Sequence, residues 1–173
     1  MPKYDQSQAE CLVFTFKEGL LSKIAHDLKV RVTRFSVDVT PTSVRAELDT
    51  SSLRVVTAMK DGAENPDALS DSDKTKIADQ IAKEVLHAVQ HATAVFSSRS
   101  VTRREDGGYS IAGDLSLHGV SKPLQVETKV EGSQQVATIE LHQPDYGITP
   151  FKAMMGTLKV KADVVVRLST PGL

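Results

Sequence analysis

Between residues 22 and 39 the chain alternates, slips by one position, and alternates again. Leu28, Val30 and Val32 are separated by Lys29, Arg31 and Thr33, the period of two that gives a strand one apolar face. Past Thr33 the apolar positions move to odd numbers, Phe35, Val37 and Val39. A one-residue slip turns the apolar set to the opposite face, so a continuous strand must bend or bulge at residues 33–34. A strand bent in this way predicts a sheet that rolls up around something. Just upstream, His26 and Asp27 lie among apolar Ile24, Ala25 and Leu28 and are expected at a partly buried position.

The same period recurs along most of the chain. Residues 11–16 (CLVFTF) form a short strand of β-formers, and a turn at Thr40-Pro41-Thr42 leads into a hairpin partner. There Val44, Ala46 and Leu48 face one way and Arg45, Glu47 and Asp49 the other, and residues 51–56 continue extended. Residues 60–73 hold Gly62, Asn65, Pro66 and a run of acids, and read as a loop. Residues 74–90 switch to helical spacing: Ile77, Ile81, Val85 and Val89 recur every fourth position along roughly 25 Å of helix. Ser70 with Asp73 three residues on is a capping-box analogue at its start.

After the helix the period of two returns. Residues 94–101 are a strand closed by Glu105-Asp106-Gly107-Gly108, a strong turn signal. Ile111, Gly113, Leu115 and Leu117 then share a face, with Gly113 marking a close approach or a bend. Turns at residues 119–121 and 131–133 separate two further alternating runs, and residues 158–168 alternate most cleanly of all. About eight strands joined mostly by tight turns imply antiparallel neighbours, as a sandwich or a closed barrel. With five Phe, three Tyr and no Trp, the inner faces carry modest side chains. A barrel lined that lightly is underfilled, and an underfilled apolar interior accepts an apolar guest. A well-packed sandwich without a cavity is the competing reading.

Charge and composition narrow the partners. The chain has 173 residues, with 21 Lys+Arg against 22 Asp+Glu, so its net charge of −1 calls for neither nucleic acid nor an anionic membrane. No run approaches the roughly 18 apolar residues of a membrane span, and residues 1–10 are too polar for a signal core; a cytoplasmic protein is expected, or a periplasmic one if a leader was removed. The lone Cys11 reads as a small buried hydrophobe. His87 and His91 stand four apart on the helix, but Ala88, Val89 and Gln90 separate them instead of a zinc-protease glutamate. Ser116 and His118 have no nucleophile elbow around them, and the spacing of Asp114, His118 and His142 fits no metal site. No catalytic residue, metal or cofactor is predicted.

Residues 113–123, GDLSLHGVSKP, resemble the signature of the YceI-like family of lipocalin-like barrels. His26 before a long strand, Ser51-Ser52-Leu53, the mid-chain helix, Val95-Phe96-Ser97-Ser98 and Asp145-Tyr146-Gly147-Ile148 extend the resemblance over nearly the whole chain. It departs at Asp27 after His26, at Thr33-Arg34 before Phe35, at Ala92 and at Gln143-Pro144. The resemblance implies a single domain over residues 1–173, mainly β: an eight-stranded antiparallel lipocalin-like β-barrel with one α-helix packed beside it. It further implies an elongated pocket for a long-chain, polyisoprenoid-like lipid, and often a homodimer.

The predicted role is therefore non-enzymatic binding, transport or storage of such a lipid in the barrel interior. A barrel with a filled core, serving as an interaction or stress-related module, is the alternative. The lining is expected to include Phe14, Phe16, Phe35, Leu115, Leu117, Phe151, Met154 and Met155. The two thioethers are attractive because they adapt to an irregular guest. His26 is expected either at a lipid headgroup or, with Asp27, satisfying local backbone.

Overall fold

The slip at residues 33–34 is a corner. In the computed structural model, which describes residues 2–18, 26–156 and 158–172, the chain begins with β1 (Lys3–Asp5) and β2 (Glu10–Thr15). The long alternating stretch then splits into β3 (Asp27–Val32) and β4 (Phe35–Val39), and its hairpin partner into β5 (Val44–Asp49) and β6 (Leu53–Lys60). Val32 faces Leu53 and Phe35 faces Leu48, so residues 49–52 form a bulge opposite residues 33–34. Ser52, fully buried, ties the corner together: its hydroxyl donates to the Asp49 carbonyl at 2.7 Å and accepts from the Arg34 N–H at 3.0 Å. Thr33 Oγ1 donates to the Ser52 carbonyl at 2.7 Å, and Arg34 bridges Asp49 at 2.8 Å on the outside. The amides of residues 33, 34, 49, 50, 51 and 52 are thus all paired, which lets the strand turn without stranding its backbone donors.

The remaining elements follow in order: β7 (Ala63–Asn65), the helix α1 (Asp71–Gln80), β8 (Thr93–Arg103), β9 (Tyr109–Leu117), β10 (Val120–Glu131) and β11 (Gln134–His142). A short two-stranded ribbon, β12 (Lys152–Ala153) with β13 (Leu158–Lys159), precedes the last strand, β14 (Asp163–Thr170). All pairings are antiparallel. β2 pairs with β3, while β4, the continuation of β3, pairs with β5, and β5 pairs with β8. The corner therefore joins the two ends of the sheet, and the ring runs β2, β3–β4, β5–β6, β8, β9, β10, β11 and β14. Eight bent or straight chain segments make the wall, the predicted barrel, although the described residues form fourteen separate strands.

Three predicted elements end differently. The helix holds α-geometry only to Gln80 and widens into a π-type turn, Ile81–Val85, closed by Leu86 N–H to the Ile81 carbonyl at 2.9 Å. His87 then takes a positive φ of 47°, so the apolar stripe stops at Leu86 and Val89 is 93% exposed. The N-terminal expectation holds in full, since Ser70 and Asp73 form a reciprocal capping box. Within residues 60–73, read as loop, Asp61-Gly62 with φ of 52° and 79° closes a tight hairpin between β6 and β7. The clean alternation of residues 158–168 is broken, because residues 160–162 leave the sheet and Val160 pairs instead with Lys17. No helix among the described residues is long and apolar enough to cross a membrane.

Candidate functional site

The inner face of the ring is not filled. A cavity of about 380 Å³ runs through the barrel, within the roughly 300–1,000 Å³ of small-molecule pockets. Its wall carries the side chains that alternation turns inward: Cys11, Val13 and Thr15 from β2, Val164, Val166 and Leu168 from β14, and Ile111, Leu115 and Leu117 from β9. Ile77, Ile81, Val85 and Leu86 close one side, so the helix is a wall of the cavity as well as a neighbour of the barrel. Gly113 keeps that wall thin: a Cβ there falls 2.6 Å from Phe96 Cζ and meets the Ser97 carbonyl.

Several of the polar side chains that line the cavity are already engaged. At the end closed by tight hairpins, Thr128 Oγ1 donates to Gln135 Oε1 at 2.8 Å and accepts from the Tyr109 N–H at 2.9 Å. Gln135 Nε2 in turn donates to the Gly107 carbonyl at 2.9 Å, and Gln143 Nε2 donates to the Lys161 carbonyl at 3.1 Å. Among the described residues no buried side-chain nitrogen or oxygen lacks a partner. The deepest part of the interior therefore gains chiefly by covering apolar surface. Burial pushes the Cys11 thiol up to about 12, with Glu10 adding to it, so the group stays a protonated, inert part of the wall.

Of the predicted lining residues, Phe35, Leu115, Leu117, Phe151 and His26 face the cavity. Phe14 and Phe16 do not. β2 turns its odd-numbered residues inward, which sends both rings to the outer face, where they are half-buried. Alternation on residues 11–16 is masked by an unbroken run of β-formers, so the sequence alone left their phase open. Met155 is fully exposed at the tip of the ribbon with φ of 57°, and the Met154 side chain falls outside the described residues. Cys11, Val30, Ile81 and Ile139 line the cavity as well and are not among the expected lining residues; alternation and helical spacing mark Val30 and Ile81 as apolar-face positions without saying that the face borders a void.

The open end carries the remaining chemistry. Asp27 accepts the Lys17 backbone N–H at 2.7 Å, a local backbone contact rather than a ligand group. His87 Nδ1 lies 3.0 Å from His118 Nε2, and the His91 ring is 4.3 Å from that of His118. His118, at φ of 54°, heads the tight turn from β9 to β10, so three imidazoles pin the end of the helical segment to the rim beside Leu86 and Leu117. Burial first, then neighbouring His91, holds the His118 imidazole below its ordinary value, while its bond to the Tyr146 backbone opposes them. Asp114 pairs with Arg99 at 2.9 Å and His142 with Asp163 at 2.6 Å, so Asp114, His118 and His142 are not brought together. No cluster of metal-binding character occurs among the described residues.

A family model described as YceI-like domain matches residues 4–170. Among curated proteins, a UPF0312 protein of Vibrio vulnificus is 33% identical over 75 residues, 38% of either chain, and one of Ectopseudomonas mendocina is 43% identical over 47 residues, 27% of this chain and 25% of that one. These matched segments thus span well under half of either relative. Among solved structures, Burkholderia cenocepacia BcnA superposes with a TM-score of 0.66 at 15% identity, over 95% of this chain and 96% of that one. A polyisoprenoid binding domain from Saccharophagus degradans gives 0.62 at 10% identity, over 96% and 94%. At such identities the likeness speaks for the fold.

Proposed function

The chain belongs to the YceI-like family, and from that premise and the chemistry of its cavity we propose that it carries a long-chain apolar or amphiphilic lipid inside the barrel, without catalysing a reaction. One observation carries the reading: an apolar cavity of about 380 Å³ in a barrel where no fully buried side-chain nitrogen or oxygen lacks a partner among the described residues. Each methylene moved from water into such a space gains about 0.8 kcal/mol, so about ten of them offset the roughly 4 kcal/mol or more of freedom that a bound guest gives up. A guest held this way is read by length and girth. Its polar end belongs at the open end, near His26, where the cavity meets the rim. That the solved Saccharophagus neighbour is described as polyisoprenoid-binding favours an isoprenoid-like chain over other lipids of similar length.

The filled-core alternative needs a dry centre without a void, and the cavity argues against it. Mass spectrometry of lipid extracted from natively purified protein tests the reading directly: a chain-like lipid at a fixed ratio supports it, and repeated empty extracts sink it. A cavity-blocking variant sharpens the test. Ala137, buried in the wall, replaced by Phe should leave the fold in place and abolish binding of the neutral lipophilic dye N-phenyl-1-naphthylamine. Undiminished dye binding by that variant would put the guest elsewhere.

A further inference from the structure

The rim ribbon pairs an unusual concentration of uncompensated charge with an exposed apolar tip, and it does so at the cavity mouth. Phe151, Leu158 and Val160 turn inward and line the cavity. The alternate positions turn outward: Lys152 stands directly opposite Lys159 in the register of β12 and β13. On the other edge the Lys161 N–H donates to the Phe16 carbonyl at 2.8 Å and Lys17 pairs with Val160, which adds two more lysines to the same three-segment ribbon. All four are exposed, and none forms an ion pair among the described residues, whereas Lys3 and Lys29 pair with Asp38 and Glu64. Glu18 is the one carboxylate on these three short segments. In a chain of net charge −1 this is a local arrangement, and like charges placed directly across a strand pair oppose folding.

Met155 adds a second cost at the same place. It is a non-glycine residue in the left-handed region, next to Gly156 at φ of 87°, and its thioether is fully exposed. A strained, solvated apolar tip on a ribbon that carries four lysines does nothing for the free protein; it fits a surface that is anionic outside and apolar beneath.

We propose that this lip seats the open end of the barrel on an anionic lipid bilayer, the lysines against headgroups and Met155 in the headgroup–acyl boundary, so that the cavity mouth faces the membrane. Its purpose rests on the carrier reading, but the contact itself is tested separately. Full-length protein is floated with vesicles of 70:30 phosphatidylcholine:phosphatidylglycerol and with vesicles of phosphatidylcholine alone, at low and high salt. Binding is expected only to the anionic vesicles and is lost as salt rises. Reversing two lysines in Lys152→Glu/Lys159→Glu lowers partitioning about 25-fold or more, at about fivefold per membrane-facing charge. Met155→Asp lowers it severalfold, and Lys129→Glu, on β10 away from the lip, leaves it unchanged.

Equal binding to both vesicle types, or wild-type binding by the double reversal, overturns the proposal. So does a vesicle-independent dimer in sedimentation equilibrium that the double reversal dissociates, which would make a second copy the occupant. The dye-binding assay on the same variants separates the two readings. Vesicle binding without dye binding keeps the lip and removes the carrier; dye binding without vesicle binding does the reverse.

Discussion

The two ends of the barrel are built to opposite rules. At the closed end, hairpins of minimal length are tied across: Asp106 Oδ1 accepts the Gly108 N–H at 2.9 Å, Arg104 bridges Asp106 and Glu127, and Thr128 and Gln135 plug the interior with a satisfied network. At the open end the chain spends longer segments on fewer constraints. A helix that widens at Ile81, a turn held by tilted, neighbouring histidines and a two-stranded ribbon with an exposed Met155 surround the mouth. The difference teaches where a barrel of this kind keeps its stability and where it keeps its freedom. Tight pairing seals one end, and marginal, polar contacts surround the end through which a guest must pass.

The sharpest break in that contrast comes from the closed end. A Cβ built on Gly108 meets the Thr128 carbonyl, with Arg104 Nη2 3.0 Å away, and neither backbone can give. Gly108→Ala should therefore cost about 3 kcal/mol in urea unfolding, the upper part of the range for forced overpacking. A cost below about 1 kcal/mol would mean the closed end is far softer than its hydrogen bonds imply. Next in size is Gln135→Leu, which strands the Thr128 hydroxyl and the Gly107 carbonyl at once. It should cost about 1–2 kcal/mol by the same measurement. An unchanged midpoint would show that these groups reach water.

The same contrast governs what the sequence made legible. The corner was readable because a phase slip at Thr33 leaves a strand with only two options, and the structure takes the bulge, secured by Ser52. The wall was readable wherever alternation was strict, as at Leu115 and Leu117. The open end was not. Its elements are set by tertiary pairing rather than period: Val160 leaves the last strand to pair with Lys17, and Leu86 caps a π-type turn that no spacing of Ile77, Ile81 and Val85 announces. Phe14 and Phe16 are expected in the lining as large apolar side chains, which favour interiors. The phase of β2, fixed by Cys11 opposite Leu168 and Val13 opposite Val166, overrides that preference. The Asp61-Gly62 hairpin, by contrast, is written in the sequence as an Asp-Gly pair that accepts positive φ, inside a segment whose Gly, Asn, Pro and acids read as loop.

The open end should respond to pH where the closed end does not. His87 and His118 share a hydrogen bond at 3.0 Å, which needs one nitrogen to donate and the other to accept. Because burial and then His91 hold His118 below the ordinary histidine value, the unfolded chain binds more protons there than the folded one as pH falls through about 6.5. Stability from this contact is thus complete above that pH and is lost as pH drops through the folded value. Amide exchange across residues 86–92 should speed up between pH 7.5 and 5.5, beyond the intrinsic pH effect, with amides of β10 and β11 unaffected. In His118→Asn the extra acceleration should vanish. The same acceleration in that variant would assign the effect to other groups.

The smallest effect expected is at Met155, and it is the strictest check on the contrast. Its side chain touches solvent and its backbone sits at φ of 57°, so the folded state gains nothing from the thioether and carries a left-handed residue. Asparagine tolerates that conformation better than methionine and buries no more. Met155→Asn should therefore leave the urea midpoint within about 0.5 kcal/mol of wild type, in either direction. A loss above about 1 kcal/mol would mean that Met155 packs against the barrel. The mouth would then be a continuation of the core, built by the same rule as the closed end, and the distinction between a sealed end and a working end would fall with it.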